Sequence, residues 1–162
     1  MPHSYSSTEC LISTLTQPEE RLIRRAVSVL EKRLLQRGPL MQSPEVTKRY
    51  LQLQLAPQKH GVFSMLFLEN RNRLLASEIL FQGTINAATV QPRRVLQRAL
   101  EINSAAVILA HNHPAGDVQP SDADKGITRT LKELLSHVDV QVLDHIIVGS
   151  GDAYSLAENG KL

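Results

Sequence analysis

Apolar positions along the chain follow a helical period up to about residue 57 and alternate between strand and helix periods beyond it. Residues 1–15 carry serines and threonines with scattered apolar residues and no period, the pattern of a loosely held terminus. Thr16 and Glu19 have capping-box spacing and Pro18 suits a first turn. Leu22, Ile23, Ala26, Val27, Leu30 and Leu34 then recur on one helical face until Gly38-Pro39 stops it. A second helix is predicted from Ser43-Pro44-Glu45, with Val46, Tyr50 and Leu53 inward, ending near Ala56-Pro57.

From His60 the period is that of strands. Residues 62–68 form an apolar run, Glu69-Asn70-Arg71-Asn72 is a polar turn, and 74–81 is a second strand, which together predict a hairpin. Gly83-Thr84-Ile85-Asn86 breaks that strand, and Pro92 opens a helix that buries Val95, Leu96, Ala99 and Leu100. A buried strand at 105–110 leads through a loop to a helix over 121–136, packed through Ile127, Leu131, Leu134 and Leu135. Strands at 140–148 and 154–156 flank the turn Gly149-Ser150-Gly151-Asp152. The order α-α-β-β-α-β-α-β-β predicts an α/β (α+β) fold, a mixed β-sheet flanked by helices, with an N-terminal helical segment over 1–57 and the main domain over 58–162.

Composition narrows the function classes. Cys10 is the only cysteine, which excludes an internal disulfide, a zinc finger and any other site built on paired cysteines. No apolar run approaches the roughly 20 residues of a membrane span, and residues 1–10 have no secretory pattern, so the expected location is cytoplasmic. The net charge of +2 is uneven: the first sixty residues are net basic and the remainder net acidic. Arg21, Arg24, Arg25, Lys32, Arg33 and Arg37 make the outer face of the first helix the densest basic surface. It reads as a solvated face or as a contact for DNA or an acidic partner, and it is sparser than the patch of a dedicated nucleic-acid binder.

The chemistry concentrates in residues 111–124. Side chains alternate along a strand, so His111 and His113 emerge on one face, close enough to share a metal ion, while Asn112 points the other way and holds the loop. Taken alone, a His-x-His is often a pair of strand-end polar caps, and Ser121-x-x-Asp124 is often just a capped helix start. Here both lie on one short loop that Pro114, Gly116 and Pro120 fold back, so Asp124 can reach the two imidazoles. Three nitrogen and oxygen ligands with one open position is what a catalytic zinc requires.

His111-x-His113, seven residues, then Ser121-x-x-Asp124 resembles the metal signature of JAMM (MPN-type) metalloproteases. The resemblance is to the RadC-like branch in particular, through Gly83-Thr84-Ile85-Asn86, Pro92-Arg93, residues 105–116 and Asp144-His145-Ile146-Ile147-Val148-Gly149. It runs from about residue 60 to the C-terminus, and the helical N-terminal third is similar to that of short, often prophage-borne members. The resemblance implies a JAMM/MPN (cytidine-deaminase-like) architecture and a zinc held by His111, His113 and Asp124 with a water as fourth ligand. It further implies that Ser121 donates to a tetrahedral oxyanion and that the substrate is a peptide or protein amide bond.

The resemblance also implies a general-base glutamate two positions before Phe63, and that position is Gly61. His60, one residue off register, and Glu78 on the partner strand are the remaining candidates for the base. Asp144-His145 is either support for a ligating imidazole or a strand-end polar pair. Arg93 and Arg94 either meet an anionic group or form a solvated helix start. Two functions stay open: a zinc metallopeptidase-like hydrolase with weakened catalysis, and a non-catalytic zinc-binding module associated with DNA repair or with a protein or nucleic-acid partner. The oligomeric state is left open. An HNH nuclease is excluded because its namesake residues are spread along a ββα unit, and a zinc deaminase because it needs a Pro-Cys-x-x-Cys pair.

Overall fold

In the computed structural model, which describes residues 16–35, 38–83 and 89–162, the elements run in the expected order. They are α1 (Gln17–Leu35), α2 (Pro44–Leu55), β1 (Val62–Leu68), β2 (Leu74–Gln82), α3 (Pro92–Ile102), β3 (Ala106–Asn112), α4 (Asp122–Ser136), β4 (Gln141–Val148) and β5 (Ala153–Ser155). The helix starts follow their capping chemistry. Ser43 Oγ accepts from the Val46 N–H at 3.3 Å with Pro44 in the first turn, and α4 opens on a full capping box between Ser121 and Asp124.

The strands form one sheet in the order β2-β1-β3-β4-β5. β1 is antiparallel to β2 and β3, β3 and β4 are parallel with α4 as their crossover, and β5 returns antiparallel on β4. This is an α+β fold with a mixed sheet. Every position of β1 is buried because both sheet faces are covered, which explains its unbroken apolar run. On one face Leu51 and Leu55 of α2 pack with Leu66, Leu68, Ile108 and Ile146. On the other, Val95 and Ala99 of α3 and Leu131 and Leu135 of α4 pack with Met65, Phe67 and Leu109. Each fully buried Leu, Ile, Val, Met or Phe among them contributes about 1.5–3 kcal/mol.

The chain divides into two units between Arg37 and Gly38. Grouping α2 with an N-terminal segment by sequence therefore differs from its packing, since Leu51 and Leu55 are fully buried in the sheet's core. The inward face of α2 also differs from expectation. Thr47, Leu51 and Leu55 point in, Tyr50 packs at the rim, Val46 is exposed, and Leu53 is 81% exposed. Thr47 can be buried because its hydroxyl donates to the Ser43 carbonyl at 3.1 Å, so the hydropathy of the letters misplaced the face. Leu100 of α3 is likewise exposed while Val95 and Ala99 are buried. In α1, Leu22, Ile23 and Val27 are exposed, so this stretch of the predicted apolar face is not buried; the side chains of Leu30 and Leu34 lie outside the described residues. No helix among the described residues is long and apolar enough to cross a membrane.

Candidate metal centre

The sheet brings the candidate ligands to one place. His111 occupies the end of β3, paired with Phe63 of β1 on one side and Ile147 of β4 on the other. Just past the strand, the His113 N–H donates to the Val148 carbonyl at 2.8 Å, which extends strand-like alternation by one residue and keeps both imidazoles on one face. The loop then closes against the end of β4. A Cβ on Gly149 would lie 2.5 Å from Val118 Cγ1 and 2.6 Å from the Gly116 carbonyl oxygen, and Gly116 itself has φ +94°. Glycine at these two positions lets α4 begin beside the strand end.

There, one atom each from His111, His113 and Asp124 lie within 4.8 Å of one another. His111 Nε2 is 2.9 Å from His113 Nε2 and 3.3 Å from Asp124 Oδ1, and His113 Nε2 is 3.6 Å from Asp124 Oδ2. Tetrahedral zinc with bonds of about 2.0–2.1 Å separates its ligand atoms by about 3.3 Å, so the triangle fits a small cation of that kind. His113 Nδ1 lies 2.5 Å from the Asp117 carbonyl oxygen, which can only accept; Nδ1 is therefore the protonated nitrogen and the neutral ring turns its Nε2 lone pair toward the triangle.

The charges agree with this arrangement. Burial pulls the Asp124 carboxyl upward, but hydrogen bonding to His111 and His113, with the Ser121 N–H, outweighs it and holds the group well below the usual carboxylate range. Hydrogen bonding to Asp124 raises the pKa of His113 against the opposing effect of burial. The carboxylate thus favours a cation between the imidazoles, whether a proton or a metal.

Ser121 serves its cap and faces the site at once. Its N–H donates to Asp124 Oδ2 at 2.8 Å, and its Oγ accepts from the Asp124 N–H at 3.1 Å, leaving the hydroxyl proton unspent. The triad and Ser121 line a cavity of about 400 Å³ whose facing wall includes Gly61, Val62, Phe63 and Val90. Asn112 secures that wall from the opposite face of β3: its Oδ1 accepts from the Val62 N–H at 2.7 Å and its Nδ2 donates to the His60 carbonyl at 2.9 Å.

Of the sequence-predicted residues, His111, His113, Asp124 and Ser121 come together, whereas Glu78 does not join them. Glu78 sits in the middle of β2 opposite Met65, away from the strand end at Phe63 and Phe81, and Arg98 Nε and Nη2 donate to its two carboxylate oxygens at 2.7 and 2.5 Å. It does not line the cavity, nor do His60, Arg93 or Arg94. Gly61 does, so the position expected to carry a carboxylate faces the triad without a side chain. The ionisable side chains lining the cavity among the described residues are His111, His113, Asp124 and His145. Thr84, Ile85 and Asn86 lie outside the described residues, as do the side chains of Lys32, Arg33 and Arg37. Arg21, Arg24 and Arg25 are exposed on α1.

Asp144 and His145, a pair in the sequence, have separate tasks. Asp144 accepts from Ser155 Oγ at 2.5 Å and from the His145 and Ala157 N–H groups, tying β5 to β4. His145 is fully buried, with Nε2 2.8 Å from His111 Nδ1 and Nδ1 2.5 Å from Thr128 Oγ1. Thr128 was not among the residues singled out from the sequence. The available signal was its place one helical turn after Asp124.

Similarity to known proteins points the same way. The RadC-like JAB domain family matches residues 41–161. A UPF0758 protein of Nitrosococcus oceani is 57% identical over 128 residues, covering 79% of this chain and 57% of that protein. One of Vibrio cholerae is 49% identical over 144 residues (89% and 90%), and UPF0758 protein YkfG of Escherichia coli is 46% identical over 148 residues (91% and 94%). The chain thus spans little more than half the length of some relatives and nearly all of others.

Proposed function

Because the chain belongs to the RadC-like JAB domain family, we propose that it is a zinc-dependent, metallopeptidase-like hydrolase of amide bonds in which His111, His113 and Asp124 hold the metal. The observation that carries this reading is the convergence of two imidazole nitrogens and a carboxylate oxygen, at ligand spacing, in an open cavity. Bound zinc supplies Lewis acidity, making water a nucleophile near neutral pH and polarising a carbonyl. The chain's own groups do the rest. Ser121, its hydroxyl proton unspent by the cap, donates to the oxyanion that develops on an attacked carbonyl. Phe63 and Val90 give the cavity an apolar wall that limits water around the substrate. Proton transfer is the weak step, because Gly61 offers no carboxylate and Glu78 is held by Arg98.

That weakness favours a second reading, a zinc-holding module with little catalysis that recognises a protein or nucleic-acid partner. Arg21, Arg24 and Arg25, exposed on α1, would make the DNA contact. One experiment separates the two. Stoichiometric zinc, with hydrolysis of peptide or isopeptide substrates abolished by His113→Ala, supports the hydrolase; salt-sensitive DNA binding that survives the same substitution supports the module.

A further inference from the structure

Three hydrogen bonds behind the triad form an unbroken chain. Thr128 Oγ1 is 2.6 Å from the Asp124 carbonyl oxygen, His145 Nδ1 is 2.5 Å from Thr128 Oγ1, and His111 Nδ1 is 2.8 Å from His145 Nε2. We infer that Thr128 and His145 are positioning residues: the chain from the Asp124 carbonyl through Thr128 and His145 fixes His111 in the tautomer whose Nε2 lone pair faces the metal position. The link to a metal rests on the reading given under Proposed function, while the tautomers follow from the hydrogen bonds themselves.

The direction of each bond is set by counting protons. A carbonyl oxygen only accepts, so the single hydroxyl proton of Thr128 goes to Asp124; directing it elsewhere would leave two oxygens 2.6 Å apart with no proton between them. Toward His145 the Thr128 oxygen must then accept, which makes His145 Nδ1 the donor. His145 is fully buried, packs edge-on against Phe63 at a centroid distance of 5.8 Å, and has Thr128 and His111 as its ring-nitrogen partners among the described residues, so no hydrogen-bonded carboxylate offsets the cost of burying a charge on it. The ring is therefore neutral, its Nε2 accepts, and His111 Nδ1 donates to it. With its Nδ1 proton committed to His145, His111 turns Nε2 toward His113 Nε2 and Asp124, where a metal, or a proton in its absence, is shared.

The arrangement also joins three elements. Asp124 and Thr128 belong to α4, His145 to β4 and His111 to β3, so the chain that orients one ligand is anchored on the backbone of another. Losing the Thr128 hydroxyl removes the acceptor for His145 Nδ1–H. His145 then gains by carrying its proton on Nε2 and donating to His111 Nδ1, which moves the His111 proton onto Nε2, where it blocks the metal. Partners of this kind are typically worth about 10–100-fold in metal affinity.

The test reads imidazole tautomers by ¹⁵N–¹H correlation in the metal-free chain and zinc affinity by calorimetry. In the wild type, His111 and His145 are expected to carry their protons on Nδ1. Thr128→Val, near in shape but without the hydroxyl, should shift both toward Nε2 and weaken zinc binding about 10–100-fold, and Thr128→Ser should restore both. A wild type in which His111 carries no proton on Nδ1, or in which His145 carries its proton on Nε2, overturns the inference without needing any variant, and so does a folded Thr128→Val chain with unchanged tautomers and zinc affinity. A wild type that shows these tautomers yet takes up no zinc overturns the metal reading, and with it the positioning role, while leaving the hydrogen-bond directions in place.

Discussion

The two walls of the cavity differ in how completely they are built. On the β3 and α4 side, each of the three candidate ligands has a partner that fixes its place: His113 is held by the Asp117 carbonyl, His111 by His145, and Asp124 by the Ser121 N–H. On the β1 side, Gly61, Val62 and Phe63 present no ionisable side chain, although Asn112 holds that backbone as firmly as the ligands are held. Under the proposed function, holding a metal and moving a proton are separate constructions, and among the described residues only the first has its side chains in place.

Removing a ligand from the β3 and α4 wall should do the most damage. Replacing His113 or Asp124 with Ala should abolish stoichiometric zinc, measured by elemental analysis of the folded chain. The fold itself should persist, because the packing of both sheet faces draws on neither residue. Zinc should raise the melting temperature of the wild type only by mass action, and the Ala variants should show no such rise.

Next in size is a repair of the unfinished wall. If the absence of a carboxylate at position 61 limits proton transfer, Gly61→Glu should raise amide hydrolysis substantially, since a positioned general base is worth about 10²–10⁴-fold. Zinc content should stay the same, so the readout is turnover at equal metal loading. Unchanged turnover would mean that the β1 wall is not what limits the site.

A smaller effect is expected from the clamp that joins the walls. Asn112→Ala leaves the Val62 N–H buried without its partner, a cost of about 1–3 kcal/mol measurable by chemical denaturation. Zinc affinity should change less than turnover in the repaired Gly61→Glu background, because the clamp positions residue 61 and not the ligands.

Much of this was legible in the sequence. Element order followed from period and punctuation, and the triad from the alternation of His111 and His113 plus the capping spacing of Ser121 and Asp124. Glycine at position 61 was visible as a departure from the family pattern. What could not be read were relations that only packing creates. The inward face of α2 turns on a satisfied Thr47 hydroxyl, and the division of labour between Asp144 and His145 depends on which side of β4 each faces. Thr128 acquires a role only because a β4 side chain arrives beside it. Glu78 looked available because a strand glutamate has no partner in one dimension; α3 supplies Arg98 in three.

A weak change at Glu78 checks that pairing. Arg98, through its hydrogen bonds first, holds the Glu78 carboxyl below its ordinary pKa. A carboxylate depressed in the folded state stabilises it above the unfolded pKa of about 4.3, and that contribution is lost as pH falls through the folded value. The pair is only partly exposed, with side chains 29% and 28% accessible, and is still screened, so Glu78→Gln should lower the melting temperature at neutral pH by about 2 °C or less, and the difference should shrink as pH falls from the unfolded pKa through the folded one. Zinc affinity and turnover should not change. A loss of turnover at full zinc loading and unchanged stability would instead give Glu78 a part in the chemistry, and the contrast between a finished and an unfinished wall would fail.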